Sequence, residues 1–137
     1  MLFRSASHIG DVQVRNTGTI GGSIAHNDPA ADYPAALLAL EAEVRLMGSG
    51  SNRAMPIASF LVDTLTTALE PGEIILEFHV PVEAPGTGVS YQKLLQPASG
   101  FAIVGVAARV RKSGGKVSFV RAGVTGLAGK ADRKSVV

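Results

Sequence analysis

The chain has 137 residues, 46% of them hydrophobic and 18% charged, values that predict one soluble globular domain. A formal charge of only +2, with no basic cluster or aromatic platform, argues against a nucleic-acid partner. The absence of cysteine excludes disulfides and any cysteine-ligated zinc or iron–sulfur centre within the chain.

A glycine-rich loop is the first informative segment. An apolar pattern over residues 2–9 predicts a short helix, and the stretch RNTGTIGGSIAHNDPAAD comes next at 15–32. Its glycines alternate with Thr and Ser, so backbone amides can approach an anion with no Cβ in the way. We interpret it as a candidate phosphate loop, with Arg15 and Asn16 anchoring its entry through hydrogen bonds.

A second helix is predicted at 33–40. Asp28 and Pro29 mark a turn before it. Asp32 stands where an N-cap is expected, and Pro34 falls in the first turn, where its missing N–H would have no helical partner in any case.

The rest of the chain predicts mostly antiparallel strands. Alternating residues predict strands at 42–48, 73–81 and 88–95, and the turn that begins at 48 leads into another strand. Residues 58–69 predict a short helix or a tight loop. The runs FAIVGVAARV and VSFVRAGVTGL form a long hairpin with its turn at Gly114 and Gly115, and the final ADRKSVV shows no closing element. The fold class is α+β, a mostly antiparallel sheet with short helices.

The residues alone leave the role of the glycine loop open, because most glycine pairs are structural turns. Neither G-x-G-x-x-G after a strand nor G-x-x-x-x-G-K-[ST] is present, so Rossmann binding and P-loop hydrolysis are not supported. His26 is close enough in sequence to the loop to donate to a phosphate, but a lone His between Ala and Asn is more often a turn residue. His8 and His79 lack the spacing of metal ligands, and no metal site is expected.

The run IGDVQVRNTGTIGGSIAHNDPAADYPAALLALEAEVRLMG resembles the medium, flavin-binding subunit of the xanthine dehydrogenase and aerobic carbon monoxide dehydrogenase family, the molybdenum hydroxylases. The similarity continues through TTALEPGEIILEFHVP and SYQKLLQPASGFAIVGVAARV, and so covers nearly the whole chain. The resemblance implies that FAD is the cofactor. It also implies the second FAD-binding subdomain of the PCMH-type flavin fold.

The resemblance assigns a cofactor role to eight residues. The second FAD loop of the family is similar to Thr19, Ile20, Gly21, Gly22 and Ser23, which would contact the diphosphate and ribityl region. Asp32 matches an acidic residue that holds the cofactor, by accepting from sugar or ribityl hydroxyls, although it also fits a plain helix cap. Ile75 matches an apolar neighbour of the isoalloxazine ring, and without the resemblance it is a core residue. Lys93 matches a basic residue near the flavin, where a cation would stabilise the reduced ring. Outside these eight, Ile9 aligns less securely with another flavin-neighbouring position.

The family's first phosphate loop, of the form Ala-Gly-Gly-x-Ser, has no match in this sequence. The resemblance therefore divides the chain into residues 1–97, the second FAD-binding subdomain without the first, and residues 98–137, the first strands of the family's C-terminal domain. It implies a fragment truncated at both ends. We expect such a chain to bind FAD poorly or not at all by itself, since several charge-assisted contacts are missing.

In this family the FAD subunit transfers electrons. The resemblance implies partner subunits, a large one with molybdopterin and a small one with 2Fe-2S clusters, from which electrons pass through FAD to an acceptor. No apolar run approaches the roughly 20 residues of a membrane span and no signal peptide is evident, so we expect a cytoplasmic protein. The alternatives are a non-catalytic truncated fragment or assembly module that does not bind flavin by itself, and a phosphate-binding module unrelated to flavin.

Overall fold

Four short helices form the first quarter of the protein in a computed structural model, which describes residues 1–136. They are α1 (Leu2–Ser7), α2 (Val12–Thr17), α3 (Ile20–His26) and α4 (Asp32–Ala39). The Asp11 carboxylate caps α2 by accepting from the amides of Gln13 and Val14. Thr19 caps α3, and its Oγ1 accepts from the Gly22 amide at 2.9 Å. These caps begin α2 and α3 at a fixed residue.

A three-stranded antiparallel sheet follows α4. Its order is β2-β1-β5, and its strands are β1 (Glu43–Met47), β2 (Asn52–Pro56) and β5 (Ile74–His79). The segment between β2 and β5 contains α5 (Ile57–Phe60) and a ribbon of β3 (Leu61–Asp63) and β4 (Thr66–Thr67). Val44 and Leu46 point inward from β1 while their neighbours are exposed, as expected for a sheet with one buried face.

The second half of the chain is a four-stranded antiparallel sheet of order β6-β7-β8-β9. Its strands are β6 (Thr87–Leu95), β7 (Ala102–Ser113), β8 (Lys116–Thr125) and β9 (Asp132–Val136). Gly114 and Gly115 both have positive φ in the β7–β8 turn, which confirms the predicted hairpin. The four-stranded sheet runs across the division predicted between residues 97 and 98, since β6 pairs with β7. That division stays a prediction.

Helix α4 lies between two core clusters and is buried from Pro34 to Ala39. Leu37 and Leu38 pack with α3, α5 and the inner face of β1, whereas Ala35, Ala36 and Ala39 pack with Tyr91 and Ala107 of the second sheet. Small residues on one side of α4 allow the sheet to approach closely. The helix therefore joins the two sheets into one packed unit.

An ionic cluster joins the end of α4 to the second sheet. Glu41 has a positive φ of 54° and accepts from Arg109 at 3.0 Å and from Arg121 at 3.2 Å. The guanidinium carbons of both arginines lie within 5 Å of the Phe119 ring centroid, at 4.9 and 4.8 Å. Charge pairing and cation–π contact hold the sheet against the helix C-terminus, where positive charge is favourable.

Four of the predicted elements differ from the structure. Residues 19–23, predicted as a loop, form the N-cap and first turn of α3. The N-cap of α4 is Ala31, and Asp32 lies inside the first turn. The predicted short helix or loop at 58–69 is a single helical turn followed by the β3–β4 ribbon. The C-terminal residues do close the sheet, because β9 pairs with β8.

Candidate flavin site

A cleft of about 800 Å³ opens beside the first turns of α3 and α4. Its walls come from stretches 6–19, 22–28, 31–33 and 99–101, so four separate segments of the chain contribute. The volume falls in the range of roughly 300–1,000 Å³ that is usual for small-molecule sites. Apolar Ile9, Val14 and Phe101 line it together with polar groups from the helix starts.

The glycine segment borders this cleft through Thr19, Gly22 and Ser23. Gly22 is exposed, and a Cβ at this position would lie only 3.1 Å from Thr19 Oγ1. Glycine therefore avoids a tight contact with the cap and leaves the backbone uncovered at the cleft. Thr19, Gly22 and Ser23 therefore line the cleft, and their contact with the cofactor stays a prediction. Ile20 and Gly21 are not among the lining residues, and Ile20 packs against the core instead.

Asp32 lines the cleft and belongs to a buried hydrogen-bonded network. Its Oδ2 accepts from Lys93 Nζ at 2.9 Å, and the two side chains are only 6% and 1% exposed. Its Oδ1 accepts a close hydrogen bond from the Tyr91 hydroxyl. Lys93 Nζ also donates to the His8 carbonyl at 2.8 Å. Desolvation and the adjacent Asp32 carboxylate raise the pKa of Tyr91 far above its usual value, so its hydroxyl is a neutral donor.

The backbone before Asp32 is fixed by the second sheet. Thr125 Oγ1 lies 2.6 Å from the Pro29 carbonyl oxygen and 2.8 Å from that of Ala31, and the Ala102 amide donates to Ala30 at 3.2 Å. The predicted turn is present as well, since Asp28 Oδ1 accepts from the Ala30 amide. These bonds place the first turn of α4, and with it Asp32, at the cleft wall.

One wall of the cleft was not predicted from the sequence. Ser99, Gly100 and Phe101 connect β6 to β7 and line the cleft, and Gly100 packs its backbone directly against Gly10. A Cβ on either glycine would clash with the other. The positive φ of 72° at Gly100 is typical of a turn glycine, but a glycine in a sequence does not indicate which segment packs against it.

The remaining predicted residues lie at different distances from the cleft. Ile9 lines it, and Arg15 lines it while donating to the Ser7 carbonyl at 3.3 Å. Ile75 is half-buried against the first core cluster and is not a lining residue, and Lys93 lies behind Asp32. His26 lines the cleft and ends α3. In the described part of the chain, no group of three or more His, Asp or Glu side chains could hold a metal ion.

Comparison with known proteins decides the family. A family model described as the FAD binding domain in molybdopterin dehydrogenase matches residues 2–83, more than half of the chain. The chain belongs to this family. That membership confirms both the resemblance drawn from the glycine segment and FAD as the cofactor. The matched residues include three of the four stretches that line the cleft.

Relatives of this flavin-binding family match along almost all of the chain. The carbon monoxide dehydrogenase medium chain of Hydrogenophaga pseudoflava is 42% identical over 134 residues, 98% of this chain and 47% of the relative. The glyceraldehyde dehydrogenase medium chain of Sulfolobus acidocaldarius is 32% identical and covers 97% of this chain and 47% of the relative. The chain therefore spans about half the length of the curated relatives it matches.

Solved structures confirm the α+β fold expected for the family. Carbon monoxide dehydrogenase from Hydrogenophaga pseudoflava, lacking the Mo-pyranopterin moiety of the molybdenum cofactor, superimposes with a TM-score of 0.92 at 44% identity. The match covers 97% of this chain and 46% of that one. Quinoline 2-oxidoreductase from Pseudomonas putida 86 gives a TM-score of 0.82 at 28% identity, and the match covers 92% of this chain and 44% of that one.

None of the described helices is long and apolar enough to span a membrane.

Proposed function

We propose that this chain forms one side of the FAD site in the medium, electron-transferring subunit of a molybdenum hydroxylase. The observation that carries the proposal is the overlap between the family match at 2–83 and the cleft, whose lining residues lie mostly in that range. An open cleft of about 800 Å³ and a glycine at its rim are consistent with a ligand that brings a diphosphate close to the backbone.

Each predicted site residue has a chemical role in this proposal. Amides and hydroxyls of the Thr19 to Ser23 segment donate to oxygens of the diphosphate and ribityl region. The Asp32 carboxylate accepts from hydroxyl groups, because two of its roughly four acceptor positions are used by Tyr91 and Lys93 and the others remain. Lys93 acts through Asp32, because its ammonium group donates to Oδ2 and holds that oxygen in place. Ile75, which packs against the first core cluster, is proposed as the apolar neighbour of the isoalloxazine ring. Ile20 and Gly21 act through the backbone of α3.

The partners follow from the relatives. Several are named medium chains or FAD-binding subunits of dehydrogenases, which is consistent with a subunit of a larger oxidoreductase. We propose a molybdopterin-binding large subunit and a small subunit with 2Fe-2S clusters as partners in the cytoplasm. When bound, FAD supplies the redox chemistry, taking up electrons from the iron–sulfur clusters and releasing them to an acceptor. The division into residues 1–97 and 98–137 is part of the same proposal.

Calorimetric titration with FAD tests the proposal, since it measures weak binding that a partial site would give. We expect saturable binding that Gly22→Asp abolishes, because a carboxylate at the cleft rim repels the diphosphate. Because a Cβ at position 22 would lie 3.1 Å from Thr19 Oγ1, amide NMR of Gly22→Asp without ligand checks that α3 stays folded. Gly50→Asp is the matched control, since it adds the same charge in open space away from the cleft.

The alternative is a non-catalytic module that does not bind flavin by itself. Absence of saturable FAD binding by the unmodified chain up to millimolar concentration would favour it. Equal binding by the Gly22→Asp and Gly50→Asp variants would place any flavin contact outside the cleft and reject the proposed site.

A further inference from the structure

The hydroxyl of Tyr91 is held against the inner side of the Asp32 carboxylate. Tyr91 lies on β6, 59 residues along the chain from Asp32, and is 2% exposed. Its ring packs with Ala107 and the alanines of α4, and the His8 ring meets it edge-on at a centroid distance of 5.7 Å. The phenol therefore has a fixed direction, and its hydroxyl reaches Asp32 from the protein interior.

Two donors that meet the two oxygens of one carboxylate fix the orientation of its plane. Tyr91 bonds to Oδ1 and Lys93 bonds to Oδ2. A carboxylate accepts about four hydrogen bonds, so positions remain free on both oxygens. Because Asp32 lines the cleft, the free positions are available to a ligand there. A carboxylate held in this way loses little rotational freedom when a ligand binds.

Lys93 alone would not fix the orientation of the Asp32 carboxylate. An ammonium group is a compact charge on a flexible stem and permits rotation of the carboxylate about it, whereas the Tyr91 hydroxyl is carried by a rigid, packed ring. Tyr91 does not line the cleft and has no direct route to a ligand. Any effect of its hydroxyl on binding must therefore pass through Asp32.

We propose that Tyr91 is a positioning residue for hydroxyl recognition in the cleft, aligning Asp32 so that its carboxylate accepts from a hydroxyl group of the ligand. The proposal rests on the proposed flavin function and deepens it. The hydroxyl belongs either to the ribityl chain or to the ribose of FAD, and both present the same chemistry to a carboxylate.

Tyr91→Phe tests the proposal because it keeps the packed ring and removes only the hydroxyl. Calorimetry measures the affinity for four ligands. FAD carries both the ribityl and the ribose hydroxyls, riboflavin carries only the ribityl set, and ADP carries only the ribose set. Lumiflavin carries neither. We expect Tyr91→Phe to weaken FAD about 10-fold. It should weaken either riboflavin or ADP similarly, which identifies the hydroxyl, and leave lumiflavin unchanged.

Two further variants separate positioning from a general loss of structure. Ser5→Ala removes another buried hydroxyl, bonded to the Leu2 carbonyl outside the cleft, and should leave FAD affinity unchanged. In an Asp32→Asn background the additional cost of Tyr91→Phe should fall below 2-fold, because the two residues act as a unit.

Equal FAD affinity for the unmodified and Tyr91→Phe chains would overturn the role of Tyr91 but not the flavin site. A loss of lumiflavin affinity as large as the loss of FAD affinity would do the same. Absence of saturable FAD binding by the unmodified chain would reject the proposed flavin site, and the role of Tyr91 with it.

Discussion

The backbone of Gly123 in β8 lies directly against the carbonyl oxygen of Ala35 in α4, and a Cβ on Gly123 would collide with that oxygen. Gly123→Ala should therefore force the helix away from the sheet and destabilise the fold by about 1–3 kcal/mol, as overpacking of a core does. Urea unfolding measures the change. Gly88→Ala in the same sheet is the control, since its Cβ would lie 4.0 Å from the nearest atom, an ordinary contact. Equal stability of the two variants would show that the helix is not held at this distance.

The Asp32–Lys93 ion pair should be costly to break from one side. Both side chains are buried, so Lys93→Met leaves an unpaired carboxylate and should lower the free energy of unfolding by about 3–5 kcal/mol. Lys112→Met is the control, because Lys112 is exposed at the hairpin. A loss below about 1 kcal/mol in chemical denaturation would contradict the buried pair.

Asn27 connects the end of α3 to the β3–β4 ribbon. It has a positive φ of 50°, and its Nδ2 donates to the carbonyls of Asp63 and Thr66 at 2.8 Å each. Asn27→Ala removes both bonds and disfavours the left-handed conformation, so we expect a loss of about 2–4 kcal/mol. Hydrogen exchange should show faster opening of residues 61–67. Asn27→Gly, which restores the backbone freedom alone, should recover only the smaller, conformational part of that loss.

Stability at acid pH should depend on Glu73. The Arg53 guanidinium donates to both of its carboxylate oxygens at 2.7 Å and, with the Glu70 amide, lowers the pKa of Glu73 from 4.5 to about 2. A lowered pKa in the folded state means that the pair stabilises the fold fully above the unshifted pKa of 4.5, and that this contribution is lost as the pH falls toward 2.

Urea unfolding between pH 2 and pH 6 measures that dependence. Glu73→Gln should flatten the fall in stability below pH 4.5, whereas Glu77→Gln, in an exposed pair with Arg45, should leave it nearly unchanged. The same acid slope in the unmodified chain and in Glu73→Gln would contradict the lowered pKa.

Local patterns were sufficient to predict much of the fold. The alternation in β1, β5 and β6 and the glycine pair at the β7–β8 turn are short-range signals, and the predicted strands occur there. The combination of glycine and hydroxyl residues from Thr19 to Ser23 predicts a segment that binds an anion. Its glycines predict a loop whose amides are open to an anion, but the Thr19 cap begins a helix there.

Contacts between distant segments could not be predicted. An aspartate before a helical pattern predicts an N-cap, and the local sequence does not show that Tyr91, 59 residues away, binds Asp32. The observed N-cap is Ala31. The approach of Gly100 to Gly10 likewise depends on how β6 and β7 are placed relative to α1, which periodicity does not encode. The resemblance named Asp32 and Lys93 but did not predict Tyr91.

The cleft beside α3 and α4 is the proposed FAD site. Amide NMR of the ¹⁵N-labelled chain during FAD titration tests it most directly, because each residue reports separately and weak binding is visible. We predict saturable shifts at Gly18, Gly22, Asp32 and Gly100, with none at the remote turn glycines Gly50 and Gly114. Saturable shifts centred on the β7–β8 turn, or no shifts at the cleft, would show that FAD does not bind in this cleft.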